Sequence, residues 1–453
     1  MNNKDNVKEF VWKLMDVLRG AMIYRELHFS VIRMIFLKYV VDNFIGAKTV
    51  EDMQACSRAQ KMFSMRDVDN GLEAVIPVFQ YIDDAYGLDG LFTRPEIIEN
   101  YSNELFGNDN RGQRKNTSSN NYKVIMDLLC SVDLEEKQGE TKKGELFTET
   151  LVDLIVSNSY RSMYASEHTS KPQLNKLVSK ILDLQDDDVY CDYTSGVGLS
   201  TLEIVRNKDL QINNADINSS AITVSTMLLI MSGYRNIQMK CADTLTQAID
   251  GISGNKIFVD APFGIRLPKT EGNEFSDGSL AVIYRAINNY LSIKEDSMAV
   301  ITLPSAALFQ AGKQWVSFRS ELVSSGLVKS IIALPSMRMG TNININLLIL
   351  TRKHNDKVTF VNATEFQQQS LRKNDNYGDV ALPDELIERI INAYNSGANV
   401  EGFSKSVSLE EISEKNYNLV STVYVSPIVE HDDTTLEEIN TQLDELYKQL
   451  LGG

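Results

Sequence analysis

Histidine, tryptophan and cysteine are scarce in this chain, and long apolar runs are missing. The four cysteines, Cys56, Cys130, Cys191 and Cys241, have neither the CxxC spacing of a zinc site nor the density of a disulfide scaffold, so reduced core thiols are expected. The four histidines, His28, His168, His354 and His431, lie far apart and match no ligand motif such as HExxH, so no metal site is expected. No apolar run approaches the ~18 residues of a membrane span. The opening MNNKDNVKEF is polar and unlike a secretory signal, which leads us to expect a cytoplasmic chain with no membrane contact. Positive charge is also short: 45 Lys and Arg face 61 Asp and Glu, for a net charge of −16. Phosphate neutralisation needs clustered cations, so a nucleic-acid role would require a local basic patch or a basic partner.

What is present is enough for two or three domains, since 453 residues with 43% hydrophobic content can bury a sizeable core. From Phe10 to Asn43 apolar residues recur at helical spacing, as in Val11, Leu14, Met15 and Leu18, then Val31, Met34 and Ile35. Helical patterning continues through 84–105 and 122–133, which predicts a helical domain over 1–150. The stretch GNDNRGQRKNTSSNN at 107–121 reads as a mobile, solvated loop, with a DNA-backbone contact through Arg111, Arg114 and Lys115 as the sharper alternative. After a polar break at 135–144, β-rich runs at 188–193, 211–215, 256–260, 298–303, 329–334, 345–351 and 357–361 alternate with helical stretches. That alternation predicts an α/β domain with a mostly parallel sheet over 151–375. Beyond about 375 the sheet signal ends. The remaining 376–453 closes on a helix with Leu436, Ile439, Leu443, Leu446 and Leu450 at spacings of three and four, fit either to pack on its own domain or to dock on another subunit.

Candidate chemistry collects at predicted strand ends. The first strand runs into Asp192-Tyr193-Thr194-Ser195-Gly196-Val197-Gly198, a glycine turn of the kind that lets a ligand approach the backbone. The third glycine of a dinucleotide fingerprint would fall at Thr201, which argues against a pyrophosphate cofactor. Asp216 ends the next strand, where a carboxylate can accept from both ribose hydroxyls of an adenosine moiety, and Asp243 follows the third, within reach of an adenine amino group. After the fourth strand comes Asp260-Ala261-Pro262-Phe263. The N6 amino group of adenine is a poor nucleophile because its lone pair is delocalised into the ring. Methylating it requires acceptors that hold both amino hydrogens. The Asp260 side chain and the Ala261 carbonyl could supply them, with Phe263 stacking on a base swung out of the duplex.

These residues carry a specific resemblance. DYTSGVGLST, DINSSAITVSTMLLIMSG, CADTL, LPSAALFQAG, GLVKSIIALPSMRMGTNININLLILTR and NYNLVSTVYV are similar, in order, to segments of the N6-adenine DNA methyltransferases, above all the modification subunits of type I restriction systems. The opening VWKLMDVLRGAMIYRELHFSVIRMIFLKYVVD looks like the helical N-terminal domain of that family. The resemblance implies a Rossmann-like methyltransferase fold with an N-terminal helical domain and a C-terminal helical tail. It implies S-adenosylmethionine as cofactor, held by Asp192, Thr194, Gly196, Gly198, Asp216 and Asp243. The implied catalytic residues are Asp260, Ala261, Pro262 and Phe263. DNA, a specificity subunit docked through the C-terminal helix, a second copy of the chain and a restriction subunit are the implied partners. Two departures stand out: DAPF replaces the family's NPPF or NPPY, and Ser166-Glu167-His168-Thr169-Ser170-Lys171 stands where the family has GEFYTP. They leave a second reading, a catalytically inactive scaffold or binding subunit on the same fold. The segment Gly264 to Ser279 is expected to be either an ordinary surface loop or a flexible loop that orders on DNA, with Arg266 and Lys269 near phosphates. The enzymatic reading requires that the turn at 194–198 and the DAPF corner lie side by side, with an open cleft between them.

Overall fold

The computed structural model describes residues 3–19, 27–65, 71–105, 119–159, 170–268, 275–338, 343–364 and 382–426. Its opening part is helical, as the apolar spacing predicts: α1 (Lys4–Arg19), α2 (Leu27–Asn43), α3 (Val50–Met65), α4 (Gly71–Tyr86), α5 (Pro95–Leu105), α6 (Ser119–Cys130) and α7 (Lys143–Ser159). One face of α1 buries Val7, Phe10, Val11, Leu14, Met15 and Leu18. In contrast, α2 is apolar all round and buried from Val31 to Val41, because α1, α3, α5, α6 and α7 all pack on it. Lys38 is tolerated inside that helix by pairing with Asp42 one turn further on.

The α/β part follows as α8 (Pro172–Leu182), β1 (Val189–Asp192), α9 (Leu199–Ile204), β2 (Gln211–Asp216), α10 (Ser219–Met231), β3 (Ile237–Cys241), β4 (Lys256–Val259) and α11 (Gly278–Arg285), the last running into a π-helical turn at Ala286–Tyr290. It continues as β5 (Met298–Pro304), α12 (Ser305–Phe309), α13 (Lys313–Ser324), β6 (Val328–Leu334), β7 (Ile345–Thr351), β8 (Lys357–Asn362), α14 (Asp384–Ser396), β9 (Ser404–Ser408) and α15 (Leu409–Glu414). The strands form one sheet in the order β3-β2-β1-β4-β5-β7-β6-β8-β9. The first five are parallel, and β7 runs antiparallel between β5 and β6. A strand covered on both faces needs no alternation, and every residue of β7 is buried.

The helical and α/β parts meet at α10, whose residues Ala221 to Met231 are all buried between β2 and β3 on one side and α2 and α7 on the other. Gly144, near the start of α7, sits in that seam: a Cβ built there would lie 2.3 Å from the Met231 carbonyl oxygen. No helix among the described residues is long and apolar enough to cross a membrane.

One strand lies beyond the point where the sequence signal fades. β9 pairs antiparallel with β8 through 404–408, and α14 covers β8 and α8 with Leu386, Ile387, Ile390 and Tyr394. The strand's sequence, SKSVS, has no run of apolar residues to announce it. Backbone pairing forms it, and its polar side chains suit a sheet edge. Part of the region after 375 therefore completes the sheet. The helix expected at 436–450 and residues 107–118 of the polar stretch lie outside the described residues.

After α15 the chain returns to the sheet's helical cover. The guanidinium of Arg319, buried on α13, donates to the carbonyl of Tyr417 at 2.8 Å and that of Gln310 at 3.0 Å, while the Leu419 amide donates to the Leu308 carbonyl at 3.0 Å. Arg319→Met keeps side-chain bulk but leaves the part-buried carbonyls of Tyr417 and Gln310 without this donor. Urea unfolding is expected to show a loss of about 2–4 kcal/mol, and an unchanged midpoint would mean that water replaces the guanidinium.

Candidate active site

Parallel pairing decides which loops meet. β1 lies between β2 and β4, with Tyr190 opposite Lys256 and Cys191 opposite Ile257, so the turn after Asp192 and the corner at Asp260 leave the sheet from neighbouring strands at one edge. Open sheets of this kind bind ligands at their carboxyl ends, where the strand order reverses. The loops after β1, β2, β3 and β4 bring all the sequence-predicted site residues to that edge.

On the cofactor side, Gly196 and Gly198 both have left-handed backbone, with φ of 53° and 78°. A Cβ on Gly198 would strike the Ser225 hydroxyl of α10 at 2.2 Å, whereas a Cβ on Gly196 would meet nothing within 4 Å. One glycine thus lets helix and turn touch, and the other leaves open space where a ligand can approach. Asp216 braces the turn by accepting from the Gly196 amide at 2.8 Å and the Asn218 amide at 2.8 Å. Asp192 accepts from the Thr194 amide at 3.0 Å. Burial pushes the Asp192 carboxyl up to about 8, against that hydrogen bond and helped by the nearby charges of Asp216 and Asp260. Asp216 is likewise raised, chiefly by burial, with its two backbone donors opposing. Asp243 accepts from the amides of Leu245 and Thr246, both at 3.2 Å, and its loop is anchored beside the glycine turn by Thr244, whose hydroxyl donates to the Tyr193 carbonyl at 2.6 Å.

No ion pair involves Asp192, Asp216 or Asp243 among the described residues. An acidic lining with open space over a glycine fits a cofactor that carries positive charge and a ribose, and repels a pyrophosphate. These residues therefore fit S-adenosylmethionine. Ile217, next to Asp216, is 69% exposed and offers an apolar surface beside that carboxyl that sequence reasoning passed over.

Gly198→Ala forces an L side chain into positive φ and into the Ser225 hydroxyl. We expect thermal unfolding to report a loss of about 2–4 kcal/mol and calorimetry a cofactor affinity at least tenfold lower. Native values for both would mean that α10 can move away without disturbing the turn.

The candidate catalytic corner lies beside the glycine turn, but the open cleft that the enzymatic reading requires is not present there, because a side chain fills the corner. Ser170 and Thr302 each donate a hydroxyl hydrogen bond to Asp260. Arg338, in the segment after β6, forms a buried ion pair with Asp260, donating from Nε at 3.2 Å and also from Nη2. The same Nη2 donates to the Ala261 carbonyl at 2.6 Å. The guanidinium lies over Phe263, with Cζ 3.8 Å from the ring centroid. Pro262 is exposed at the rim. Both acceptors proposed for the adenine amino group, and the ring proposed to stack on the base, are thus engaged by one arginine. Sequence reasoning placed the two corners together and missed this occupant. Its signal was thin, a single Arg in the LPSMRMGT segment together with an acid where the family has an amide. Residues 160–169, including the Ser166 to Thr169 departure from the family, lie outside the described residues. Ser170 is tied to Arg338 by an antiparallel bridge, and the Lys171 amide donates to the Met337 carbonyl at 2.8 Å.

The segment after the corner is more ordered at its base than a flexible loop. Arg266 and Asp277 form an antiparallel bridge, the Gly278 amide donates to the Ile265 carbonyl at 2.9 Å, and the Leu267 amide donates to the Ser276 carbonyl at 3.0 Å. Only 269–274, with Lys269, fall outside the described residues. Arg266 projects into solvent, 80% exposed, 3.9 Å from Asp277.

Comparisons with known proteins agree with this architecture. The methylase subunit of the type I restriction enzyme MpnII of Mycoplasma pneumoniae is 22% identical over 98% of this chain and 93% of its own length. That of MjaVIII of Methanocaldococcus jannaschii is 24% identical over 62% of this chain, a match that spans only 53% of the relative. Among solved structures, the type I restriction-modification methyltransferase subunit of Streptococcus thermophilus superposes with a TM-score of 0.72 at 22% identity, over 94% of this chain and 100% of that one. A modification subunit of a type I restriction enzyme from Vibrio vulnificus gives 0.62 at 13% identity, over 91% of this chain and 94% of that one. A family model described as N-6 DNA Methylase matches residues 162–433, more than half of the sequence, and the chain belongs to that family.

Proposed function

We propose that this chain is the modification subunit of a type I-like restriction-modification or defence assembly and methylates N6 of adenine in DNA. The observation that carries the reading is the juxtaposition at the sheet edge: an acidic, glycine-lined turn after β1 lies beside a carboxylate and a backbone carbonyl after β4. S-adenosylmethionine, held by Asp192, Thr194, Gly196, Gly198, Asp216 and Asp243, would supply the methyl group as a sulfonium donor. Asp260 and the Ala261 carbonyl would accept the two amino hydrogens, which draws the N6 lone pair out of the ring and toward the donor. Positive charge develops on N6 as the bond forms, and an aspartate in place of the family's asparagine stabilises it more strongly. The Asp260 carboxylate is also placed to take the proton that N6 releases. Phe263 would hold the flipped ring by stacking.

With a net charge of −16, sequence reading and most phosphate contacts fall to a partner, a specificity subunit that we assign to the closing segment at 436–450. Transfer of a labelled methyl group from S-adenosylmethionine to DNA, by the chain reconstituted with a type I specificity subunit, tests the reading. No incorporation by that complex sinks it. A second reading, a methyltransferase-like scaffold that binds but does not transfer, is favoured by one observation, the ion pair of Arg338 with Asp260. Cofactor binding without any transfer would select it.

A further inference from the structure

Arg338 satisfies the same atoms that the proposed reaction assigns to the target base. Its guanidinium donates to the Asp260 carboxylate and, at 2.6 Å, to the Ala261 carbonyl, and its plane rests 3.8 Å from the Phe263 ring centroid. The amino edge of adenine and a guanidinium share what this corner reads: a flat π face and an sp2 carbon bearing N–H donors. Resting on the reading of this corner as an adenine site, we propose that Arg338 is an internal stand-in for the target base, which occupies the base pocket of the free protein and must be displaced before an adenine can enter.

The placement is built rather than incidental. The backbone of Arg338 is bridged to Ser170, Met337 before it is fully buried and accepts from the Lys171 amide, and the side chains of Arg338 and Asp260 are only 6% and 10% exposed. Ser170 and Thr302 also donate to the Asp260 carboxylate, so two hydroxyl donors remain on the acceptor when the guanidinium leaves. Aspartate at 260 is what makes the contact strong, since a charge-assisted pair holds a guanidinium far better than an amide oxygen does. Free adenine has too few contacts to displace it. A base delivered by DNA gripped elsewhere brings the binding energy that does.

The test uses the full chain and two small probes, 9-methyladenine and 9-methylpurine, which lacks the amino group. Calorimetric titration of Arg338→Ala is expected to show 9-methyladenine binding about 10- to 100-fold tighter than to the wild type, with no matching gain for 9-methylpurine. Equal affinities in variant and wild type, or an equal gain for both probes, overturn the proposal. Should loss of the ion pair prevent Arg338→Ala from folding, Asp260→Asn keeps an acceptor oxygen while removing the charge that grips the guanidinium. A gain of about tenfold for 9-methyladenine is expected there, and no gain counts against the proposal in the same way. The parallel methyl-transfer assay separates the two ideas. A gain in base affinity without transfer by the wild-type complex leaves the stand-in in place and sinks the catalytic reading, whereas transfer without any gain does the reverse.

Discussion

Asp260→Ala is expected to lower methyl transfer to DNA by about 10²- to 10³-fold, the range found when one preorganised partner of a developing charge is removed. The alanine loses the acceptor for one amino hydrogen and the negative charge that opposes the positive charge growing on N6. It also loses the oxygen placed to receive the departing proton. Cofactor binding should survive, because Asp260 touches the cofactor side only through the field it casts on Asp192. Removing that negative neighbour makes Asp192 easier to ionise, so affinity for a cationic cofactor should hold or rise slightly. The variant also frees Arg338 from its ion pair, a change that by itself would open the base pocket. A large fall in rate despite that opening would therefore locate the loss in the chemistry. Single-turnover incorporation of labelled methyl groups, with cofactor affinity measured on the same sample, checks both halves. Wild-type rates in the variant would show that Asp260 takes no part in the reaction.

The fold was legible wherever periodicity was strong. The apolar spacing of α1, the all-round apolar character of α2 and the short β-rich runs of β1, β2 and β4 to β8 each report burial directly, and burial is what periodicity encodes. β9 was not legible, because SKSVS is held by backbone pairing at an edge and buries Val407 as its one apolar side chain. The cofactor turn was legible for a different reason: Gly196 and Gly198 stand where left-handed backbone is required, and Asp216 and Asp243 recur at strand ends. Arg338 was not, since it lies 78 residues from Asp260 in sequence and only the pairing of β5 with β7 and β7 with β6 folds its segment back over the corner. A contact across that distance leaves no local pattern. The only hint was chemical: an acid at a position where the family carries a neutral amide needs either a proton or a cation nearby, and the cation is Arg338.

Cofactor affinity is expected to climb as pH rises from 6 toward 8 and then to level off, and Asp192→Asn should abolish the climb. In the ligand-free chain burial and the charges of Asp216 and Asp260 raise the Asp192 carboxyl to about 8, so at pH 7 it is mostly protonated. A positively charged ligand favours the ionised form. Binding below pH 8 therefore expels a proton, and affinity can gain up to about tenfold for each pH unit, the slope for one proton released. The asparagine variant has no proton to lose at this position and no charge to offer, so its affinity should be flat with pH and about 10²-fold weaker at pH 8. Stability runs the other way. The folded chain keeps on Asp192 a proton that the unfolded chain, with a carboxyl near 3.8, has already lost. The contribution of this group is thus fully present below pH 4 and disappears as pH rises through 8, at a cost on the order of 4 kcal/mol by pH 7. Asparagine escapes that cost while its amide oxygen still accepts from the Thr194 amide. The ligand-free variant should melt with the wild type near pH 4 or slightly above it, and clearly above it at pH 8. If the two melting curves stay parallel across that range, Asp192 is not the buried acid of this site and its pairing with a cationic cofactor has to be abandoned.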